Sequence, residues 1–357
     1  MASSPFQFST PVLTLLLSSP SLRKSPCLPF HPSLFSPPLT QKTLTFSTGT
    51  RAVSGSGKSP GLPFHPSLFS PPLTQKTLTF STGTRAVSGS GKFCWRAKAS
   101  MSGTTMEKGK GKVEVFDSKE NLSVSLAKYT ADLAAKFSKE KGSFTVVLSG
   151  GSLIKSLRKL VEPPYVDAID WSTWHVFWVD ERVVPKDHDD SNYKLAFDGF
   201  LSKVQILPGN VYAINDALSA EGAADDYETC LKHLVKSNVL SVSTATGFPK
   251  FDLMLLGMGP DGHVASLFPG HPLVKENEKW VTFIKDSPKP PPERITFTFP
   301  VINSSAHIAL VICGAGKAGA VHSALGNSQN SDPLPVQMVS PEGELVWFLD
   351  KDAASKL

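Results

Sequence analysis

Residues 251–270 read FDLMLLGMGPDGHVASLFPG, and the fold follows from how this stretch is parsed. Leu253–Leu256 is a short, bounded apolar run, the pattern of a central strand covered on both faces. Gly257, Met258, Gly259 and Pro260 end it, and Asp261-Gly262-His263 follows at the expected start of a helix. In an open α/β sheet, ligands bind at the carboxyl ends of the strands. A carboxylate and an imidazole are thus delivered together to the place where a ligand is expected.

The flanking sequence repeats the strand–turn–helix pattern. Upstream, Val113–Phe116 reads as a strand, and Ser118 caps a helix running to Lys141 with Leu122, Leu126, Leu133 and Phe137 near helical spacing. Phe144–Leu148 reads as a buried strand ending in Ser149-Gly150-Gly151-Ser152, and Ile154, Leu157, Leu160 and Val161 mark a helix after it. His175–Val179 is a strand running into Asp180-Glu181-Arg182; helices are expected over Tyr193–Val204 and Ser219–Ser237. Downstream come strands at Trp280–Ile284, Arg294–Phe299 and His307–Cys313, with the rigid loop Pro288–Pro292 between the first two. Gly314-Ala315-Gly316-Lys317 then opens a helical stretch to Leu325, and Glu344–Leu349 is expected to close the sheet. Strands alternating with helices predict one α/β domain over 107–352: a mostly parallel, Rossmann-like sheet with helices on both faces.

Charge is unevenly spread. Of the 36 Lys and Arg residues, ten fall in the first 100 positions, which hold none of the 31 acids. The remaining 26 basic residues face all 31 acids, so the chain's formal +5 describes its leader and gives no ground for a nucleic-acid partner. No run of 18 apolar residues exists, so no membrane span is expected. Cys27 and Cys94 lie in the leader; Cys230 and Cys313 are too few for a disulfide framework and read as buried thiols. No Cys/His spacing fits zinc, and no metal is expected.

Residues 1–106 are rich in Ser, Thr and Pro, the composition of an organelle transit peptide with no fold of its own. A secretory signal fits worse, because the first basic residue, Arg23, follows the apolar patch Val12–Leu17. The segment resembles a chloroplast transit peptide, and mitochondrial targeting shares its biases. Residues 28–58 recur identically at 62–92 without the composition to build a core. AVSGSGKS at 52–59 nearly matches a phosphate-cradling loop, but Pro60-Gly61 follows instead of a helix, so the match is treated as accidental. Ser355-Lys356-Leu357, in the segment 353–357, matches a peroxisomal address. The expected location is the plastid, with the peroxisome or cytosol as alternatives, and import receptors as the corresponding partners.

Two segments match G-x-G-x-x-G: Gly257/Gly259/Gly262 and Gly314/Gly316/Gly319. In the first, Asp261 would set a negative charge against a pyrophosphate. The second lacks the acid expected ~20 residues on. A nicotinamide cofactor is therefore not expected. The polar groups at the strand ends make better sense as one pocket. Arg182, Arg294 and Lys317, with the Gly-rich turn Gly150-Gly151-Ser152, suit a phosphate. His263 beside Asp261 suits general-base work near neutrality. No G-x-S-x-G elbow exists, which disfavours a serine nucleophile. The chemistry expected is His-activated attack of water on a phosphorylated substrate.

LSGGS at 148–152, WVDERVVP at 178–185, DSNYKLA at 190–196 and LGMGPDGHVASLFPG at 256–270 resemble the glucosamine-6-phosphate isomerase/6-phosphogluconolactonase family, on its lactonase side. ERITFTFPVIN at 293–303, CGAGKAGAV at 313–321 and WFLD at 347–350 agree. The resemblance implies the family's α/β phosphosugar isomerase/lactonase fold, and hydrolysis of 6-phospho-D-glucono-1,5-lactone, the second step of the oxidative pentose phosphate pathway, without metal or nucleotide. It makes His263 the base that deprotonates water, with Asp261 orienting it. Gly150, Gly151 and Ser152 match the backbone cradle, Arg182, Arg294 and Lys317 are candidate ligands of substrate oxygens, and Asp180 and Asn192 fall in the pocket. Val264 and Leu153 stand where the family commonly has Thr, which puts a hydroxyl contact in doubt. The deaminase branch places a Glu shortly after the Asp-Gly-His turn, and Ala265–Pro269 contains no acid. A silent sugar-phosphate-binding protein is the third alternative; it would have no need of Asp261 and His263.

Overall fold

The computed structural model describes residues 103–108, 111–326 and 332–357. The leader through residue 102, with its repeat, lies outside the described residues. Strand β1 (Gly103–Lys108) begins before the expected domain start at 107 and pairs antiparallel with β2 (Gly111–Phe116). Helix α1 (Lys119–Lys141) follows, with Ser118 Oγ accepting from Asn121 N and Gly142 ending it at φ 77°. Next come β3 (Phe144–Leu148), α2 (Ser152–Ser156), α3 (Tyr165–Ala168), β4 (Trp174–Trp178) and β5 (Asp180–Arg182). Helices α4 (Asn192–Gly199) and α5 (Ala220–Lys236) precede a two-strand ribbon, β6 (Ser241–Val242) and β7 (Pro249–Lys250), and the central strand β8 (Leu253–Leu256). The chain finishes with β9 (Val281–Ile284), β10 (Arg294–Phe297), α6 (Phe299–Asn303), β11 (His307–Ile312), α7 (Ala318–Leu325) and β12 (Glu344–Asp350).

The main sheet has the order β1-β2-β12-β11-β8-β3-β4, parallel throughout except for β1. Period-two alternation sends successive residues of β8 to opposite layers. Leu253 and Leu255 pack with Leu122, Leu126, Ile154 and Trp174, whereas Met254 and Leu256 pack in the layer containing Leu231, Phe251, Val321 and Trp347. Both faces are covered, as a parallel sheet requires. Strand β3 leads outward to β4, and β8, on its other side, leads to β11. The gap between β3 and β8 is therefore the topological switch point, where the carboxyl ends leave a crevice.

Several expectations need correction. No helix follows Asp261-Gly262-His263: Ala265 sits at φ 52°, and Val264 and Leu267 form an isolated bridge, so the segment folds as a loop. The helix expected after β3 is α2 followed by a 3₁₀ turn, Leu157–Val161, and the helix after residue 192 ends at Gly199. Strand β12 lies inside the sheet, between β2 and β11. Arg294–Phe297 belongs to a separate antiparallel sheet of order β5-β10-β9. Residues 353–357 pack onto the domain: Ala353 is buried, its N–H bonds Asp350 Oδ1 at 2.8 Å, and the Lys356 carbonyl lies 2.6 Å from His322 Nδ1.

Cys230 is buried and Cys313 partly so, both as free thiols; burial pushes Cys313 up to about 11. No helix among the described residues is long and apolar enough to cross a membrane.

His175 and His307 sit at the amino ends of β4 and β11, away from the crevice. Burial is the main force lowering both imidazoles below their ordinary 6.5; Lys141 reinforces it at His175, while Glu344 opposes it at His307. The unfolded chain thus takes up these protons more readily, so the stability they support is present above that value and lost as pH falls. In urea titrations at about pH 7 and about pH 5, the drop in midpoint should be smaller for the His175→Gln/His307→Gln variant than for the parent chain. An equal drop in both proteins would remove these histidines from the account.

Candidate active site

At the switch point, Ser149 Oγ accepts from Gly257 N at 3.1 Å and binds the ends of β3 and β8 together. The β8 turn then folds tightly: Gly259 N donates to His263 O and Gly262 N to Gly259 O, each at 3.0 Å, with Gly262 at φ 80°. This fold-back lays the imidazole on Gly259, where an added Cβ would lie 2.1 Å from the ring and 2.6 Å from Asp261 Oδ1. Only a glycine leaves room for the ring there.

His263 Nδ1 is 2.6 Å from Asp261 Oδ1. A separation that short between a ring nitrogen and a carboxylate oxygen needs a proton between them, so Nδ1–H donates and Nε2 carries the lone pair. Among the described residues nothing hydrogen-bonds Nε2. The ring is largely buried against Phe268, centroids 4.7 Å apart. Burial, aided by the Lys289 charge, lowers its pKa against the pull of Asp261 and Asp180, so the imidazole is neutral at pH 7. Burial pushes the Asp261 carboxyl up, but hydrogen bonds from His263 and Lys289 outweigh it and hold the group below its ordinary value.

Around this pair Asp180, Asn192 and Gly150 form one chain of contacts. Asp180 is buried and its Oδ2 accepts from Ser266 Oγ at 2.8 Å, three residues past His263. The Asp180 carbonyl accepts from Asn192 Nδ2 at 2.9 Å, and a Cβ on Gly150 would strike the Asn192 amide at 1.8 Å. Gly150, Asn192, Asp180 and the His263 loop are thereby joined. Gly150 and Gly151 N–H have no protein acceptor among the described residues, and Gly151 and Ser152 are exposed. Among the described residues no hydrogen bond ties the Ser152 side chain to the His263 cluster.

The cations divide by role. Arg182 and Arg294 stand directly opposite each other across β5 and β10, a like-charge pairing that costs energy unless an anion bridges it. Arg182 Nη1 donates to the Asp190 carbonyl at 2.8 Å, and its buried Nε has no partner. Arg294 differs from the expectation of a free ligand. It is buried, and it donates to the carbonyls of Lys289, Pro290 and Pro291 at 2.8–2.9 Å, leaving Nη1 3.5 Å from Ser266 Oγ. Lys317 has no ion pair among the described residues; burial lowers its pKa, and the Lys289 charge adds to this. Its turn is held by Asp350, whose carboxylate accepts from Gly314 N at 2.9 and 3.1 Å.

The sequence missed two residues. Lys289 donates to Asp261 Oδ1 at 3.0 Å and lies 3.1 Å from His263 Nδ1. In the sequence it lies in the rigid loop Pro288–Pro292, 26 positions from the imidazole, and nothing local marks it. Glu181 accepts from Arg182 N, Asn192 N and Tyr193 N at 2.7–2.8 Å and so caps α4; burial, opposed by these bonds, raises it to about 7. Its place between Asp180 and Arg182 was the only signal. Val264 and Leu153 are buried in the two core layers, where a hydroxyl would need a buried partner. Among the described residues no group of three or more His, Cys, Asp or Glu could hold a metal.

Because the imidazole rests on Gly259, Gly259→Ala should push His263 off Asp261. Imidazole ¹⁵N shifts should show Nδ1 protonated in the parent chain and averaged tautomers in the variant. A variant that keeps the parent pattern would contradict this packing.

The family model described as glucosamine-6-phosphate isomerases/6-phosphogluconolactonase matches residues 117–347. Among curated proteins, a probable 6-phosphogluconolactonase 4, chloroplastic, of Oryza sativa subsp. indica is 74% identical over 247 residues, covering 69% of this chain and 76% of the relative. The chloroplastic 6-phosphogluconolactonase 3 of Arabidopsis thaliana is 72% identical over 263 residues, 73% and 80% of the two chains. Among solved structures, the 6-phosphogluconolactonase of Thermotoga maritima superposes with a TM-score of 0.56 at 31% identity, covering 67% of this chain and 99% of its own. The chain belongs to the glucosamine-6-phosphate isomerase/6-phosphogluconolactonase family.

Proposed function

We propose that this protein hydrolyses 6-phospho-D-glucono-1,5-lactone to 6-phospho-D-gluconate, the second step of the oxidative pentose phosphate pathway. The observation that carries the reading is the neutral His263, its Nδ1–H committed to Asp261 and its Nε2 open. Nε2 takes a proton from water as the water oxygen attacks the lactone carbonyl. Asp261 holds the ring orientation and stabilises the imidazolium that forms. The ring C–O bond then breaks, the imidazolium returns its proton to the leaving oxygen, and the new carboxylic acid ionises. The substrate's phosphate suits a cation of this crevice, either the bridgeable Arg182–Arg294 pair after β4 or Lys317 after β11. Gly150 and Gly151 offer free N–H donors to substrate oxygens.

The names of the curated relatives support the lactonase side of the family. So does the absence of an acid between Ala265 and Pro269, where ring-opening deaminases carry a Glu. The chloroplastic names of those relatives, together with the acid-free leader, support a plastid location. A fluorescent reporter carrying residues 1–102 should enter plastids; one that stays in the cytosol would contradict this.

The full chain, mixed with freshly generated lactone, should release acid faster than the spontaneous rate, and no acceleration would overturn the proposal. His263→Ala should lose roughly 10²–10⁴-fold in kcat. Its acid limb in the parent enzyme should fall below pH 6.5, the ordinary imidazole value, because the active form is the neutral ring and burial keeps it neutral. Lys317→Ala should raise KM roughly tenfold or more with a smaller effect on kcat. Full activity in His263→Ala would defeat the base assignment.

A further inference from the structure

Lys289 is the charged group nearest the Asp261–His263 pair, and the sequence pattern gave it no part in the site. Its backbone is fixed from several directions. Ser287 Oγ accepts from Lys289 N at 3.2 Å and donates to Lys289 O at 2.9 Å, and Ser287 N donates to Pro292 O at 3.2 Å. Buried Arg294 then gathers the carbonyls of Lys289, Pro290 and Pro291. A Lys on a mobile loop would contribute little as a half-exposed ion pair. Here the stem of the side chain starts from a fixed point, and among the described residues its ammonium has one carboxylate for a partner, Asp261.

The electrostatic setting gives this contact a direction. Lys289 shares Asp261 Oδ1 with the imidazole, and it faces Nδ1 without a lone pair to receive it. A proton on Nε2 would place a second positive charge beside the ammonium. The groups facing His263 are Asp261 on its own turn, Asp180 from β5, and Lys289 from the β9–β10 loop; Phe268 covers the ring, with Arg294 above Phe268. Of the charged groups, both carboxylates favour the imidazolium, and Lys289 opposes it.

We propose that Lys289 is a positioning residue of this site: anchored by Arg294 through the 289–291 carbonyls, it fixes Asp261 against His263 Nδ1 and keeps Nε2 the proton acceptor. This role rests on the lactonase reading for its effect on rate, but its effect on His263 stands without it.

The test compares the full chain with Lys289→Met, which keeps the length of the stem, and Lys289→Arg, which keeps the charge. His263 is titrated by imidazole NMR without substrate, and kcat and KM are measured against pH with the lactone. In Lys289→Met the His263 titration and the acid limb of kcat/KM should both move to higher pH. In the same variant kcat should fall roughly tenfold with KM little changed, and Lys289→Arg should recover most of the loss. Urea melts identify a variant that has merely unfolded, in which case Lys289→Gln takes its place. An unmoved His263 titration overturns the proposal whatever the rates do, and a rise in KM alone makes Lys289 a substrate ligand and overturns it as well. If the parent chain fails to hydrolyse the lactone, the functional reading falls, while the NMR titration still decides Lys289.

Discussion

Ser266 donates a 2.8 Å hydrogen bond to Asp180, and both side chains are buried. The bond joins the loop that carries the base to the first residue of the second sheet. A buried carboxylate without such a partner would be costly, and a buried hydroxyl nearly as much so. The loop therefore cannot leave Asp180 cheaply. His263 stands three residues before Ser266 in a segment without regular structure, and this bond, with the glycine fold-back at Gly259, gives the segment a definite shape. Ala265, at φ 52°, is the strained joint between the two.

The second sheet exists because one residue serves two sheets. Val179 N donates to Leu148 O in the main sheet at 3.0 Å, and Val179 O accepts from Phe297 N of β10 at 2.8 Å. The chain passes from β4 to β5 through that single residue, so Asp180, Glu181 and Arg182 emerge at the carboxyl edge of one sheet while belonging to another. Asp180 turns to the base loop, Glu181 caps α4 and seats Asn192, and Arg182 faces Arg294. Arg294 in turn holds the loop bearing Lys289. Base, cations and backbone donors thus come from separate parts of the chain and share one framework.

The parallel sheet was legible because burial on both faces leaves a continuous apolar signal, as in Leu253–Leu256 and Phe144–Leu148, and turn residues mark its ends. Asp261, His263 and the Gly150 turn were legible for the same reason, since each follows such a strand directly. The antiparallel sheet was not: Arg294–Phe297 alternates as a strand should, but alternation names no partner, and β5 is hidden in the continuation of β4. The loop after His263 carries an apolar sequence that suits a helix, and the Ser266–Thr296 hydrogen bond, with a local bridge between Val264 and Leu267, overrides that preference. Lys289 was illegible because its importance lies in a contact made across 26 positions, from a loop whose prolines signal only rigidity. Arg294 was read by its charge, whereas its burial commits most of its donors to backbone carbonyls.

The proposed reaction sets the lactone carbon facing His263 Nε2 and leaves the phosphate to the crevice's cations. The most direct measurement is a structure of the chain with 6-phosphogluconate bound, since the product's carboxylate marks the attacked carbon. The account places that carboxylate within hydrogen-bond reach of His263 Nε2 and the phosphate on cations drawn from Arg182, Arg294 and Lys317. A complex with the phosphate against His263 and the carboxylate among the arginines would contradict it.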